Sequence, residues 1–484
     1  MNNFLKINYP EKKDIKLSEQ RSLWLKEFLK AFTVVFISYM AMYLIRNNLK
    51  AAQPALKEAG LTTTQLGQIG VAFSVTYGLG KTIVGYWADG KNSKRIVSLL
   101  LIGSSISVML MGFVLLGLEP AQLVKGAKVS ANSTQIVGFM MILWGISGFF
   151  QSAGGPSSYA TITKWTPLSK RGRWLGFWNA SHNVGGAIAG GLALFMATKL
   201  FNGNVAGYFI GPAVIALAIG FGFLFFGVDS PEELGWERSE NIFEEPIERE
   251  NIEAEKLTKI EIFQKYVLTN KWVWILATAN IGVYIVRIGI DNWSSLYTTE
   301  QLGFKKDDAV ATLFWFEMGA LGASLIWGSL SDLAGGRRGL LAAIAMFLVT
   351  FAIVAYQSQT SVAGVNISLF VIGILIFGPQ LLIGVSLTGF VPKAGTAVAN
   401  GITGTFGYLI GDSFAKIGLA QIADPNQNGL HLFGLTTLKG WNSTFTVMYA
   451  AIVFTVILLL FVAVAEEKKL RELKKAKAKM AAKA

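Results

Sequence analysis

Apolar stretches almost free of charge recur from one end of this chain to the other, and few folds can bury so many of them. Residues 32–45, 96–117, 208–228 and 450–465 each form, or sit within, such a stretch. Their lengths approach the roughly 20 apolar residues that an α-helix needs to cross a bilayer. Charged residues are only 15% of the 484, where a soluble chain carries about 25%. The 52 glycines suit helices that pack closely in lipid. A soluble protein with buried helices would not repeat such blocks along its whole length. The pattern reads as an all-α membrane protein.

Several function classes fall away at once. The chain has no cysteine, so disulfides and thiolate metal sites are excluded. Two histidines, His182 and His431, do not make a histidine-rich metal site. No cofactor is implied. The start is polar and carries Lys6, Lys12, Lys13 and Lys16, without the apolar core of a cleaved signal peptide. The net charge of +13 does not point to nucleic acid, because the positive residues cluster at the ends of apolar blocks.

Spans are expected near 27–47, 65–88, 96–117, 136–163, 174–200 and 207–228, then near 272–297, 308–331, 339–357, 364–390, 396–421 and 442–465. This gives twelve transmembrane helices in two six-helix halves, 1–228 and 271–465. A polar cytoplasmic linker occupies 229–270, and a basic, helical, solvated cytoplasmic tail occupies 466–484. The basic short loops (Lys91, Lys94 and Arg95; Lys170, Arg171 and Arg173; Arg337 and Arg338) lie on the side of both termini. By the positive-inside rule that side is cytoplasmic.

The halves repeat. Tyr43-Leu-Ile-Arg46 recurs as Tyr284-Ile-Val-Arg287, 241 positions later. Gly85-Tyr-Trp-Ala-Asp89 with Lys94-Arg95 recurs as Gly328-Ser-Leu-Ser-Asp332 with Arg337-Arg338, 243 positions later. Internal repeats with a site at their interface are a common plan of secondary transporters. The two Gly…Asp…basic loops also resemble the signature loop of the major facilitator superfamily, which in that family controls closure on the cytoplasmic side. Arg95 and Arg338 would suit ordinary positive-inside loops. Asp89 and Asp332 add nothing to topology and favour a gating role.

Ionisable groups inside spans are costly and usually functional. Arg287 is flanked by apolar residues on both sides. Arg46 lies at the far end of the first span, where a snorkelling arginine is the simpler reading, but the repeat ties it to Arg287. A guanidinium stays charged and can grip phosphate or carboxylate through two parallel hydrogen bonds. Tyr43 and Tyr284 stand three residues before their arginines, on the same helix faces, and could complete an anion shell. Tyr77 lies one turn before Lys81, the cation of the second span. Lys81 is either a third positive group or the partner of a buried acid. His182, among small neighbours in the fifth span, titrates near neutrality and suits a binding site. Asp291 reads as a partner of Arg287 one turn earlier. Asp412 and Lys416, four apart, read as a neutralising pair. Glu317 has no partner nearby in sequence, and Lys81 or either arginine could supply one.

At Arg171-Gly-Arg-Trp-Leu-Gly-Phe-Trp-Asn-Ala-Ser-His-Asn-Val-Gly-Gly186 the pattern becomes specific. It resembles the signature of the organophosphate:phosphate antiporter family, a branch of the major facilitator superfamily. Similar segments run along nearly the whole chain, among them Met42-Tyr-Leu-Ile-Arg46, Thr76-Tyr-Gly-Leu-Gly-Lys81, Val286-Arg-Ile-Gly-Ile-Asp291 and Tyr408-Leu-Ile-Gly-Asp-Ser-Phe-Ala-Lys416.

The resemblance implies the major facilitator fold with pseudo-symmetric halves, a monomer in the bacterial inner membrane, and uptake of a sugar phosphate in exchange for inorganic phosphate. Glucose 6-phosphate is the expected sugar phosphate. The resemblance implies that Arg46 and Arg287 bind the phosphoryl group between them and that His182 and Lys81 line the same cavity. Hexose-phosphate members of the branch carry an acid and a lysine three residues apart in the eleventh span, near the sugar. This chain has Asn400 and Thr403 there, a change that keeps zero net charge but alters the sugar contacts. Glycerol 3-phosphate or another organophosphate therefore stays open as substrate. So does a transporter-like sensor of sugar phosphate. No nucleophile–base pair or metal set points to an enzyme.

Overall fold

The computed structural model describes residues 4–7, 9–88, 91–116, 129–245, 259–391, 393–432 and 436–481. Among them, ten helices are long and apolar enough to cross a membrane. The expected second and eleventh spans are helical too. They are α2 (Thr63–Ala88) and α12 (Lys393–Phe406), the latter continued by π-helical turns at Gly407–Asp412 and Phe414–Gly418. The remaining long helices are α1 (Leu17–Glu58), α3 (Ser93–Leu116), α4 (Val129–Gln151), α5 (Gly154–Trp165), α6 (Leu168–Phe195), α7 (Gly207–Leu224), α8 (Lys271–Leu302), α9 (Lys306–Leu333), α10 (Arg338–Gln357), α11 (Val362–Leu387) and α13 (Trp441–Ala481).

Two elements depart from the sequence expectation. The first helix does not stop near residue 47 but runs to Glu58, because Asn47, Asn48 and Gln53 are buried rather than exposed at a helix end. Arg46 is therefore well inside a helix. The fourth span is not one helix but α4 and α5, broken at Ser152 and Ala153. There the Ser152 hydroxyl donates to the Phe149 carbonyl at 2.6 Å, competing with the helical ladder. The break sets Gly154 and Gly155 against Met42 and Tyr39 of α1, where a Cβ would crowd both side chains.

Contacts divide the chain into two compact units. The first comprises residues up to Glu248 together with Ser294–Glu317. In it α1 packs along α6, α2 along α4, and α3 along α7. Gly148 permits the α2–α4 approach, since a Cβ there would stand 2.6 Å from the Phe73 carbonyl oxygen. The end of α8 and start of α9 join α1 through polar contacts. Ser295 Oγ donates to the Lys50 carbonyl at 2.9 Å. Lys57 pairs with Glu300 at 3.2 Å, and Lys306 pairs with Glu58.

The polar stretch after α7, expected as linker, begins as part of this unit's core. Asp229 is fully buried. Its carboxylate accepts from Ser93 N and Lys94 N at 3.0 Å each, capping α3, and from Thr161 Oγ1 at 2.7 Å and Lys164 Nζ at 2.5 Å. Trp236 joins Trp24, Phe28 and Trp165 in one apolar cluster. Nearby, burial pushes the Glu233 carboxyl above its ordinary pKa, although the Asp229 N–H and the Asn92 amide both donate to it.

The second unit comprises Arg249–Trp293 and Met318–Ala484. Here α10 packs on α11 and on α13. Glu466, expected at the start of a solvated tail, is instead buried. It accepts from Gly339 N at 2.7 Å, capping α10, and from the Ser386 hydroxyl. It thus repeats in this unit what Asp229 does in the first. His431 lies in a two-stranded hairpin, β1 (Leu430–Leu432) with β2 (Thr436–Leu438).

Candidate functional site

In the first unit the structure gathers Tyr43, Arg46, Tyr77, Lys81 and His182. The guanidinium of Arg46 lies 4.4 Å from the Tyr43 ring centroid, 4.7 Å from Tyr77 and 5.0 Å from Phe73. Three electron-rich faces attract the cation. Lys81 Nζ stands 5.1 Å from the same Tyr77 ring. The His182 ring lies 5.2 Å from Tyr43. Tyr39 stacks on Trp178 at 4.8 Å and meets Tyr43 edge-on at 5.5 Å, so α1 and α6 hold this aromatic group jointly.

The plane of the Arg46 guanidinium is set from behind. Its Nε donates to Gln151 Oε1 at 2.9 Å. The Gln151 amide in turn donates to Ser104 Oγ at 2.9 Å, and Ser104 meets Ser147 at 2.8 Å. All three are fully buried. An amide oxygen orients the fork while leaving its full charge, which a carboxylate would cancel.

The second unit repeats the arrangement. Arg287 is buried, and its Nη1 donates to Gln380 Oε1 at 2.6 Å. The guanidinium lies 4.1 Å from the Phe377 centroid and 5.9 Å from Tyr284. Tyr284 packs edge-on against Tyr408 at 5.1 Å. Gln380 follows Pro379 inside α11. Sequence reading did not single out Gln151 or Gln380. Their signal is an amide side chain within an otherwise apolar span.

Asn400 and Thr403 stand one turn apart on α12. Asn400 Nδ2 donates to the Thr396 carbonyl at 3.2 Å, and Thr403 Oγ1 donates to the Ala399 carbonyl at 2.9 Å. The Thr403 carbonyl also accepts from Asn280 at 2.9 Å, which ties α12 to α8 below Arg287.

The remaining charges fall into place as follows. Lys416 and Asp412 form an ion pair at 3.0 Å, with Asp412 buried. Asp291 is buried on α8. Glu317 accepts from Asn47 at 3.0 Å, a partner 270 positions away that the sequence did not suggest. A Cβ on Gly186 would strike both side chains, so α6 closes over this contact. In the signature loops, Arg95 donates to the Phe4 carbonyl at 2.7 Å and lies over the Phe4 ring, drawing the N-terminal segment onto the loop. Arg338 reaches the Val385 carbonyl at 3.2 Å and Thr388 Oγ1 at 3.3 Å. Asp89 lies outside the described residues, as does the side chain of Asp332.

The model of the Major Facilitator Superfamily matches residues 32–415. The hexose-6-phosphate:phosphate antiporters of Salmonella typhimurium and Escherichia coli K12 are each 49% identical over 466 residues, 96% of either chain. The glycerol-3-phosphate transporter of Bacillus subtilis is 32% identical, covering 83% of this chain and 87% of its own. A solved bacterial homologue of the human lysosomal transporter Spinster shares the fold. Its TM-score is 0.64 at 17% identity, over 92% of this chain and 98% of that one. With this family match and these relatives, the chain belongs to the organophosphate:phosphate antiporter family of the major facilitator superfamily.

Proposed function

We propose that the protein takes up a hexose 6-phosphate, glucose 6-phosphate foremost, in exchange for inorganic phosphate by alternating access. The observation that carries this reading is the 49% identity, across 96% of both chains, to hexose-6-phosphate:phosphate antiporters. Arg46 and Arg287 are the phosphoryl ligands in this reading. Each is a guanidinium oriented by a glutamine amide and walled by aromatic rings, a neutral setting that suits the fork geometry needed for a dianion. His182, Lys81, Tyr43, Tyr77 and Tyr284 complete the phosphoryl environment, and Asn400 and Thr403 meet the sugar. The protein sits in the bacterial inner membrane as a monomer with both termini cytoplasmic, and its signature loops gate the cytoplasmic side.

Two like charges oppose closure around an empty site, and a bound phosphate removes that opposition. Exchange rather than uniport follows. Proteoliposomes loaded with phosphate should take up labelled glucose 6-phosphate, while phosphate-free vesicles should not. Equal uptake by both overturns the exchange mechanism.

A second reading, glycerol 3-phosphate as substrate, draws on the 32% identical Bacillus subtilis relative and on the uncharged Asn400 and Thr403. Competition of both organophosphates against phosphate exchange separates the two. A sensor would bind without net flux.

A further inference from the structure

A groove of about 970 Å³ runs beside α13 where that helix passes the start of α10. One part of its lining is aliphatic: Leu340, Leu460, Ala463 and Val464. Leu340 is 39% exposed, Leu460 45% and Val464 71%. On a membrane helix such side chains face lipid. The rest of the lining is charged, with Arg337, Lys468, Arg471 and Lys475 set against Glu467 and Glu472.

The lining positions on α13 recur at steps of three and four, so they form one stripe along its face. Within a single turn, between Val464 and Glu467, the stripe changes from aliphatic to charged. A lipid molecule has the same order, acyl chain and then headgroup. The sign is right as well. Four cations against two carboxylates leave the groove positive. Glu467 accepts from Arg337 Nε at 2.8 Å and from Arg471 Nε at 3.0 Å, so one carboxylate draws two guanidiniums to the mouth of the groove. Lys468 and Lys475 follow two turns apart on the same face. Basic pockets between membrane helices suit the phosphodiester of an anionic lipid. Free phosphate would leave the aliphatic half unused, and a zwitterionic lipid would bring a cation into a site already positive.

We propose that this groove binds an anionic phospholipid, with its acyl chain along Leu340, Leu460 and Val464 and its phosphodiester among Arg337, Lys468, Arg471 and Lys475. The inference rests on α13 crossing the membrane and is independent of which organophosphate is carried.

The test is thermal melting of the full chain in uncharged detergent, titrated with phosphatidylglycerol or phosphatidylcholine. Lys468→Gln/Arg471→Gln/Lys475→Gln removes three exposed groove cations. Lys13→Gln/Lys16→Gln/Lys26→Gln removes the same charge from exposed positions of the first unit. Phosphatidylglycerol should stabilise the wild type, and its apparent affinity should fall about 100-fold in the groove variant. The control variant should match the wild type, and phosphatidylcholine should be without effect. Unchanged affinity in the groove variant, an equal loss in the control, or equal stabilisation by phosphatidylcholine each overturns the proposal. Inorganic phosphate reports on the transport site separately, and its stabilisation should survive in the groove variant. Its loss there would instead mark the groove as a free-phosphate site and overturn the lipid assignment.

Discussion

Arg287, deep in α8, donates through Nη1 to the amide oxygen of Gln380 at 2.6 Å. Arg46 stands in the same relation to Gln151 in the other unit. A neutral acceptor restrains the guanidinium and itself adds no negative charge beside it. Gln380→Glu should therefore be worse than Gln380→Leu, although it is closer in shape. The glutamate becomes a built-in counter-ion and competes with phosphate. Phosphate exchange in proteoliposomes should be nearly abolished by the glutamate and reduced about tenfold by leucine. Equal rates for the two would show that orientation alone matters.

Arg287→Lys keeps the charge and loses the planar fork. Hydrogen bonds to charged groups contribute about 1.5–3 kcal/mol, so phosphate affinity should fall roughly 10- to 100-fold. The check is exchange at matched expression. Near-normal transport by the lysine variant would refute two-bond recognition.

Asp229→Ala should be a folding defect rather than a transport defect. The substitution strands Lys164 and the uncapped start of α3. Asp229 is fully buried but Lys164 is 30% exposed, so the loss comes mainly from the stranded α3 amides and costs about 1–3 kcal/mol. Yield and detergent melting temperature should both drop, with Asp229→Asn intermediate because it keeps an acceptor for the α3 amides. A fully stable alanine variant would show the cap to be dispensable.

Gly148→Ala should destabilise the first unit by about 1–3 kcal/mol through overpacking. Its added Cβ meets backbone of α2, which cannot rotate aside as a side chain can. Gly191→Ala is the comparison, because nothing lies within 4 Å of a Cβ there. It should melt like the wild type or slightly above it, since alanine favours a helix over glycine, and a matching drop in both would show that the loss at Gly148 does not come from its contact with α2.

Much of this molecule is legible in its sequence, because lipid imposes a length and a composition on every helix that crosses it. Arg46 and Arg287 stood out for the same reason, as cations amid apolar neighbours. Their glutamine partners did not, since an amide within a span carries no charge to betray it. Asn47 could not be matched to Glu317 across 270 positions without the fold. Asp229 and Glu466 lie at the starts of the stretches that read as linker and tail, and their burial is not legible there. Their sequence neighbourhoods are polar, and only the packing of α5 and α11 shows that each carboxylate points inward. The break at Ser152 was hidden for the opposite reason, because its flanks stay apolar enough to pass as one continuous span.

The two capping carboxylates also set an order of events at the ribosome. Ser93 must wait 136 residues for Asp229 to emerge, and Gly339 waits 127 for Glu466. Neither unit can complete the start of its third span until the last turn of its sixth, or the segment just beyond it, has been made. A nascent chain halted a few residues short of either acid would hold six spans, or twelve, with one helix still open at its amino end.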